Sequence, residues 1–426
     1  MAARLERLPF GVGQAPGRWK LWIAVLTAIA ILGWYGWYLE ISRGMIVTGL
    51  RDIGPMGGAT WGMDVSFIVY FVGVSFAGIT VAALVRLAEV KALRPIARMA
   101  EVLTVVALVL AAFAIMYDLG HPLRGIVNLF KYARPQSPFF GTFTLVISGY
   151  LFASLVYLYL GGRADAARCA EVPSRLQGFY RLWAAGYRDT PAALERHNRA
   201  SFWLAIAIVP LLVVAHSTLG FVFGLQVGRP GWYSALQAPS FVLLAGVSGI
   251  GMLILVAAVV RRTVPGSDRL NEVVFRWLGN ALMILLLAYL YFMVVELLTS
   301  IYTGAERERA VTEALLGGRY APVYWSAVAL LVIPLSLLLM RYFRRATGLA
   351  TLVASGVMVN LSAMAKRFLI VVPSQTHGTL LPYQAGSYAP TWVEWAEMAG
   401  LIAFGALLLA VFAKLFPIMP VEGGES

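Results

Sequence analysis

Cysteine, histidine and charged residues are all scarce in this sequence of 426 residues, and each shortage excludes a class of protein. The chain has one cysteine, Cys169, so it can form no internal disulfide and can hold no cysteine-ligated iron–sulfur cluster or zinc ion by itself. Only 13% of its residues are charged, about half of the share found in soluble domains. So little charge cannot cover the surface of a globule of this size, which excludes a soluble enzyme and a disordered protein.

Apolar residues are abundant instead. They make up 60% of the chain, and the mean hydropathy is +0.77. A helix of about 20 apolar residues crosses the roughly 30 Å hydrocarbon core of a bilayer. Segments of this length and character predict an all-α polytopic membrane protein with about ten transmembrane helices. The segments are Leu21–Ile41, Gly62–Leu84, Ala100–Met116, Gly141–Tyr159, Ala200–Leu225, Ala238–Val260, Trp277–Leu298, Val323–Met340, Leu349–Phe368 and Val393–Phe416.

The basic residues indicate how the chain is oriented in the membrane. Most of the 34 Lys and Arg residues fall in the loops on one side, together with the polar residues 1–20. Because cytoplasmic loops are enriched in Lys and Arg, we expect this side and both chain termini to be cytoplasmic. The net charge of +13 is then mainly an orientation signal. The basic loop 161–199 mixes acidic residues with its arginines, which is typical of a solvated loop, so we expect no nucleic-acid binding.

The order of the segments predicts two bundles with two further helices, and a weak duplication supports a repeated unit. Gly73-Val74-Ser75 in the second span matches Gly246-Val247-Ser248 in the sixth, and Asp118 late in the third span corresponds to Glu296 in the seventh. Four helices per unit give both copies the same orientation, so a symmetry axis would lie along the membrane normal. The expected divisions are 1–160 (first four-helix bundle with a cytoplasmic N-terminus), 161–199 (basic cytoplasmic loop), 200–340 (second four-helix bundle) and 341–426 (two additional helices).

Ionisable side chains within or at the ends of the spans lie mostly toward the outer face. Placing an ionisable side chain in a bilayer costs several kcal/mol unless it faces a cavity or a partner, so each of these residues is a functional candidate. Toward the inner face, Glu101 is the only ionisable residue at a comparable position in a span. Asp64, Glu394 and Glu397 could equally lie at the headgroup level, and Lys366 could extend its ammonium group to the interface. The outer set is Asp64, Asp118, His121, His216, Glu296, Lys366, Arg367, Glu394 and Glu397.

Asp118 and His121 are the strongest candidates for chemistry. They lie in a run that ends at Gly125, in which Gly120 and Pro122 favour the end of a helix. A histidine close to carboxylates can accept a proton near neutral pH. The run therefore indicates a proton-accepting site at the outer end of the third span.

At these residues the sequence resembles the NrfD/polysulfide reductase membrane-subunit family. Ten spans rather than eight make it similar to the longer branch, which includes the membrane subunits of alternative complex III and of the sulfite-reduction-associated complex. The matching pieces are Trp61–Asp64 leading into Phe71–Gly78, Asp118–Arg124, His216–Thr218 and Arg229–Ser234.

The resemblance implies a quinone site near the outer face, for menaquinone or ubiquinone, and no metal or haem in this chain. The chain would not be catalytic alone. It would exchange electrons with a multi-cluster ferredoxin-like iron–sulfur subunit docked on the outer, periplasmic face of a bacterial inner membrane, alongside other membrane or catalytic subunits. The outer loops 226–234 and 373–395, rich in Gly, Pro and aromatic residues, suit such docking. The implied catalytic residues are Asp118 and His121; the quinone-binding candidates are Asp64 and His216, with Glu296 and Arg367 selected by depth alone.

Two other functions fit parts of the sequence. A haem b cytochrome would need paired axial histidines, and of the four histidines only His121 and His216 could form such a pair. A secondary transporter also combines internal duplication with intramembrane acids, although transporter sites lie near the midplane of the bilayer. A visible spectrum of the purified chain distinguishes a haem protein from the quinone-binding subunit. The depth of the acidic residues in the bilayer distinguishes a transporter from that subunit.

Overall fold

The computed structural model describes residues 7–51, 59–132, 134, 136–137, 143–188, 190–344, 348–377 and 386–421. Within these ranges the secondary structure consists of helices and turns, with no strand. Gly141, the predicted start of the fourth span, and residues 378–385 of the predicted docking loop 373–395 lie outside the described residues. The α-helices are α1 (Gly17–Arg43), α2 (Met63–Leu87), α3 (Arg94–Asp118), α4 (Pro122–Tyr132), α5 (Thr144–Ala170), α6 (Gln177–Ala184), α7 (Pro191–Gly224), α8 (Gln237–Thr263), α9 (Glu272–Thr303), α10 (Glu306–Leu316), α11 (Ala321–Arg344), α12 (Leu349–Gln375) and α13 (Trp392–Leu415).

The described part of the chain contains 10 helices that are long and apolar enough to cross a membrane, which confirms the predicted spans. Several of them extend beyond the apolar segments. The predicted loop 161–199 is largely helical, because α5 continues to Ala170 and α7 already begins at Pro191. Thr190 starts α7 as an N-cap whose side chain accepts a hydrogen bond from the Ala193 N–H, and Pro191 suits the first helical position.

The spanning helices form two four-helix bundles and one separate pair. Helices α2, α3, α5 and α7 form the first bundle, and α8, α9, α11 and α12 form the second; α2 and α8 pack against each other between them. The separate pair consists of α1 and α13, which packs on α3. These contacts group the helices differently from the division expected by chain order: the first and the last span form the separate pair, and the first bundle starts at α2.

The two bundles repeat one arrangement, as the matching segments of the sequence indicated. Each bundle contains the same four helix contacts. In the first bundle these are α2–α3, α3–α5, α5–α7 and α2–α7, and in the second they are α8–α9, α9–α11, α11–α12 and α8–α12. A short helix follows the second helix of each bundle, α4 after α3 and α10 after α9. The repeated unit therefore starts at α2, which explains why α1 stands apart.

Glycines bring α1 and α13 into backbone contact. A Cβ atom on Gly33 would lie 2.8 Å from the Gly400 Cα, and one on Gly400 would lie 2.7 Å from the Gly33 Cα. Small residues at such crossings let membrane helices approach closely. One turn further along α1, Gly36 leaves room for the side chain of Glu397, whose Cγ would be 3.1 Å from an added Cβ. The pairing of α1 with α13 therefore places Glu397 beside the C-terminal part of α1.

Both described ends of the chain lie at the same end of the bundles, which we call the inner end; the opposite end, where α2 begins, is the outer end. The Gly13 N–H donates a hydrogen bond to the Lys414 carbonyl oxygen at 2.9 Å. Close by, the Arg98 guanidinium lies 3.0 Å from the Asp165 carboxylate and 3.5 Å from Glu101, in a buried ionic network. Sequence reasoning had singled out only Glu101 here.

We predict that Gly400→Ala lowers the melting temperature of the solubilised protein. The added methyl group meets backbone atoms that cannot rotate away, and such overpacking costs about 1–3 kcal/mol. Gly149→Ala is the matched control, because its Cβ would meet nothing within 4 Å and alanine favours the helix. Thermal unfolding in detergent measures both variants; equal melting temperatures would show that the α1–α13 contact contributes no stability.

Candidate functional site

Four carboxyl side chains from four helices gather at the outer end of the α1–α13 pair and the first bundle. Oxygens of Glu40, Asp64 and Glu397 all lie within 4.8 Å of one another. These three side chains are 1%, 1% and 0% exposed, so water does not solvate them. Asp118, the last residue of α3, lies at the same end of the first bundle and follows Tyr117, whose ring contacts Trp37 of α1. We call Glu40, Asp64, Asp118 and Glu397 the outer carboxyl cluster.

The outer carboxyl cluster lacks hydrogen-bond partners. Both carboxyl oxygens of Glu40, Asp64 and Glu397, and Oδ1 of Asp118, are buried without a partner among the described residues. Two potential donors beside them, the Tyr117 hydroxyl and the Trp37 indole N–H, are also buried without a partner. The two rings lie 5.2 Å apart between their centroids. Since buried polar groups are nearly always paired, this concentration marks a place where a ligand or protons would complete the structure.

The inner ionic network shows how the same chain neutralises buried acids elsewhere. There Glu101 has two arginine neighbours, Arg98 at 3.5 Å and Arg86 at 3.8 Å, and Asp165 has Arg98 at 3.0 Å. No ion pair reaches the outer carboxyl cluster within the described part of the chain. Burying carboxylates without a basic partner is unfavourable unless they hold protons or contact a ligand. The cluster is therefore suited to exchange protons, whereas the inner network is suited to stability.

Glu394, next to the cluster, is fully paired and positions the surrounding backbone. Its Oε2 accepts hydrogen bonds at 2.8 Å from the backbone N–H groups of Gly49 and Thr391, completing the capping box of α13. Its Oε1 accepts a hydrogen bond from the Tyr388 hydroxyl. Burial and the adjacent Glu394 raise the pKa of Tyr388, so this hydroxyl remains a donor at physiological pH. Glu394 thus has a structural role at this end of α13.

Hydrogen bonds from two other segments hold the turn that leads into α2, and they set the position of Asp64. The Met63 N–H donates to the Tyr388 hydroxyl oxygen at 2.8 Å. From α12, Gln375 Oε1 accepts from the Thr60 and Trp61 N–H groups at 2.9 and 3.0 Å, and its Nε2 donates to the Trp61 carbonyl at 2.8 Å. Asp64 lies in the first turn of α2, immediately after this clamped segment. Its carboxyl position is therefore set by hydrogen bonds from α12 and from the segment preceding α13.

The two candidate histidines are not part of the cluster. His121 is exposed between α3 and α4. His216 is buried between α7 and α2, with Nδ1 2.8 Å from the Leu212 carbonyl oxygen and Nε2 2.9 Å from the Val72 carbonyl oxygen. Val72 lies roughly 12 Å deeper along α2 than Asp64, at 1.5 Å of rise per residue. His216 therefore connects two helices well below the outer carboxyl cluster.

Glu296 and Arg367 belong to the second bundle and are also separate from the cluster. Glu296 lines a cavity of about 90 Å³ together with Lys366, and it accepts a hydrogen bond from Gln237 at 3.1 Å. Arg367 is buried against α8, with its guanidinium carbon 4.1 Å from the centroid of the Phe241 ring. Lys366 does not extend to the interface, since it is buried with its ammonium 5.3 Å from the Tyr324 ring centroid. Of the predicted site residues, Asp64 and Asp118 belong to the outer carboxyl cluster. Arg367 lies toward His216 instead, because its Nη2 would be 3.7 Å from a Cβ atom on Gly73, the neighbour of Val72.

Sequence reasoning missed three members of this site: Glu40, Trp37 and Tyr117. Glu40 carries a signal that was available, because it is an acidic residue inside the predicted span Leu21–Ile41. Trp37 and Tyr117 carry none, because aromatic residues near span ends are usual at membrane interfaces. Their proximity to the acids depends on the packing of α1 against α13 and α3.

Comparison with known proteins gives consistent matches over most of the chain. Residues 53–378 match the family model described as polysulphide reductase, NrfD. The chain is 28% identical to a putative dimethyl sulfoxide reductase membrane subunit of Halobacterium salinarum, over 93% of this chain and 91% of the relative. It is 26% identical to a selenate reductase subunit of Mesobacillus selenatarsenatis, over 94% of both chains. It is 25% identical to the Hdr-like menaquinol oxidoreductase integral membrane subunit of Archaeoglobus fulgidus, over 95% and 94%.

Proposed function

The chain belongs to the polysulphide reductase, NrfD family, and on that premise we propose that it is the quinol-interacting membrane subunit of an oxidoreductase complex. It exchanges electrons between the quinone pool, menaquinone or ubiquinone, and an iron–sulfur subunit docked on the outer face of a bacterial cytoplasmic membrane. The observation that supports this proposal most strongly is the outer carboxyl cluster, with its unpaired buried oxygens beside unpaired donors.

The names of the relatives support both parts of the proposal. One relative is named as a menaquinol oxidoreductase integral membrane subunit, and the other two are named as subunits of reductases. An iron–sulfur cluster that exchanges electrons with the quinone would belong to a partner, because the single cysteine of this chain cannot hold a cluster. Other catalytic subunits of the complex would complete the reaction.

The outer carboxyl cluster has the chemistry that a quinol headgroup requires. Oxidation of a quinol to a quinone releases two electrons and two protons, so carboxylates close to the hydroxyl groups are needed as proton acceptors. Unpaired oxygens of Asp64 and Asp118 can accept from the quinol hydroxyls, and the Tyr117 hydroxyl and the Trp37 N–H can donate to the quinone carbonyls. The same groups therefore suit both redox forms of the substrate.

Asp118 is the residue to which we assign the first proton transfer. It ends α3 at the outer end and is partly buried, whereas Glu40, Asp64 and Glu397 are fully buried. A carboxylate in this position can take a proton from the headgroup and release it to water at the outer face. His121, exposed three residues further on, can receive that proton.

The two alternative functions have weaker support. A haem bound by His121 and His216 would need a free ring nitrogen on each, but both nitrogens of the buried His216 face carbonyl oxygens and His121 is exposed at the outer end. A transporter site would lie near the midplane, often at a broken helix. The outer carboxyl cluster lies at helix ends instead, with Asp64 in the first turn of α2 and Asp118 at the last residue of α3.

We predict that Asp118→Asn reduces quinol-dependent electron transfer by at least about 100-fold, the usual effect of removing a general base. The complex should still assemble, because asparagine has the same shape as aspartate and Oδ1 of Asp118 has no partner among the described residues. Asp268→Asn, at an exposed position between α8 and α9, is the matched control and should behave as wild type. Turnover with a quinol analogue and co-purification of the partner subunits measure the two effects. Normal turnover of Asp118→Asn would remove this residue from the site.

Glu40→Gln and Glu397→Gln should separate activity from stability. Each substitution removes a buried, unpaired carboxylate, so we predict that the melting temperature is unchanged or higher while quinol turnover falls at least about tenfold. Glu313→Gln, an exposed acid on α10, is the control for both measurements. A loss of stability together with activity would instead assign Glu40 and Glu397 a purely structural role.

A further inference from the structure

Helix α4 presents an apolar face that no other part of the described chain covers. Leu123, Ile126 and Val127 are 79%, 39% and 62% exposed, and their spacing puts them on one side of the helix. Arg124 and Lys131 are exposed along one edge of this face, because each is three or four residues from Val127. Within the described ranges α4 makes no extensive contact with another helix. An amphipathic helix of this kind needs an apolar phase on one side and a polar phase on the other.

The counterpart of α4 in the second bundle, α10, is packed against other helices, so the exposed apolar face is a property of α4 alone among the two. Helix α10 follows α9 as α4 follows α3, but it packs against α9, α11 and α12 and buries Val311 and Thr312. Its sequence carries three glutamates and two arginines, whereas α4 carries Arg124 and Lys131 and no acid. The two copies have therefore diverged in charge and in what they pack against.

The position of α4 identifies what covers its apolar face. Only residues 119–121 separate α4 from the last residue of α3, so α4 starts within about 14 Å of the end of a membrane span. The headgroup layer is roughly 5–7 Å deep on each side of the hydrocarbon core. Helix α4 thus begins at the boundary between hydrocarbon and water, where helices with an apolar face bordered by basic residues lie in the plane of the membrane.

We propose that α4 is an in-plane membrane helix that binds anionic phospholipid at the outer leaflet. Leu123, Ile126 and Val127 lie among the upper acyl chains, and Arg124 and Lys131 contact lipid phosphate groups. The absence of an acid on α4 makes its charge complementary to an anionic lipid surface. This proposal does not depend on quinol chemistry, because it concerns a surface outside the outer carboxyl cluster.

The test places one fluorophore at a time on the complex reconstituted in vesicles. Val127→Cys reports the apolar face of α4, Asn128→Cys its polar side, and Glu313→Cys the counterpart helix α10; the native Cys169 is buried. Vesicles contain phosphatidylcholine alone or with phosphatidylglycerol. Quenching by a nitroxide-labelled lipid and by aqueous iodide is measured for each label, and turnover is recorded separately. A second set adds Arg124→Gln and Lys131→Gln.

The proposal predicts that the label at residue 127 is quenched several-fold more by the nitroxide lipid than the labels at 128 and 313, and less by iodide. Phosphatidylglycerol should increase this quenching, and the Arg124→Gln/Lys131→Gln variant should lose the increase. Strong iodide quenching at 127 would overturn the proposal, because α4 would then lie in water. Shielding from both quenchers would also overturn it, because a protein subunit would then cover α4. Equal quenching in both lipid mixtures would overturn the assignment of anionic lipid.

Discussion

The cost of burying carboxylates without a basic partner is the constraint on which the site depends. Glu40, Asp64 and Glu397 come from three helices, have their oxygens within 4.8 Å of one another, and have no hydrogen-bond partner among the described residues. A protein that required only stability would replace such groups with apolar side chains of similar volume. The packing around them keeps them together: the Gly33–Gly400 contact closes α1 on α13, and the clamp on the turn before α2 fixes Asp64.

The two ends of the first bundle treat buried charge in opposite ways. At the inner end, Arg98 is shared between Glu101 and Asp165, so the acids there are neutralised. At the outer end the acids have no such partner among the described residues and lie beside unpaired donors. The second bundle differs again, with Glu296 and Lys366 lining one cavity. The internal duplication therefore supplied two equivalent scaffolds, and the acidic site was built on only one of them, with α1 and α13 contributing half of its carboxyl groups.

The spans could be predicted from sequence because a bilayer demands long apolar segments, and those segments can be counted. Their packing could not, because an apolar segment does not specify its neighbours. This is why α1 and α13 were assigned to different parts of the fold, and why Glu40 was overlooked although it lies within a predicted span. Asp64 and Asp118 were identified because each is an acid at the outer end of a span. His216 was selected by the same reasoning, yet its ring nitrogens face backbone carbonyls inside the bundle.

Photochemical labelling with an azido-quinone analogue is the most direct measurement of where a quinol headgroup lies. The analogue is bound to the purified complex, activated by light, and the labelled peptides are identified by mass spectrometry. The proposed site predicts labels on the outer ends of α1, α2, α3 and α13, in peptides that contain Trp37, Asp64, Tyr117 or Glu397, and protection by excess unlabelled quinone. Labelling confined to the second bundle, around Glu296 and Lys366, would contradict the assignment of the outer carboxyl cluster as the quinol site.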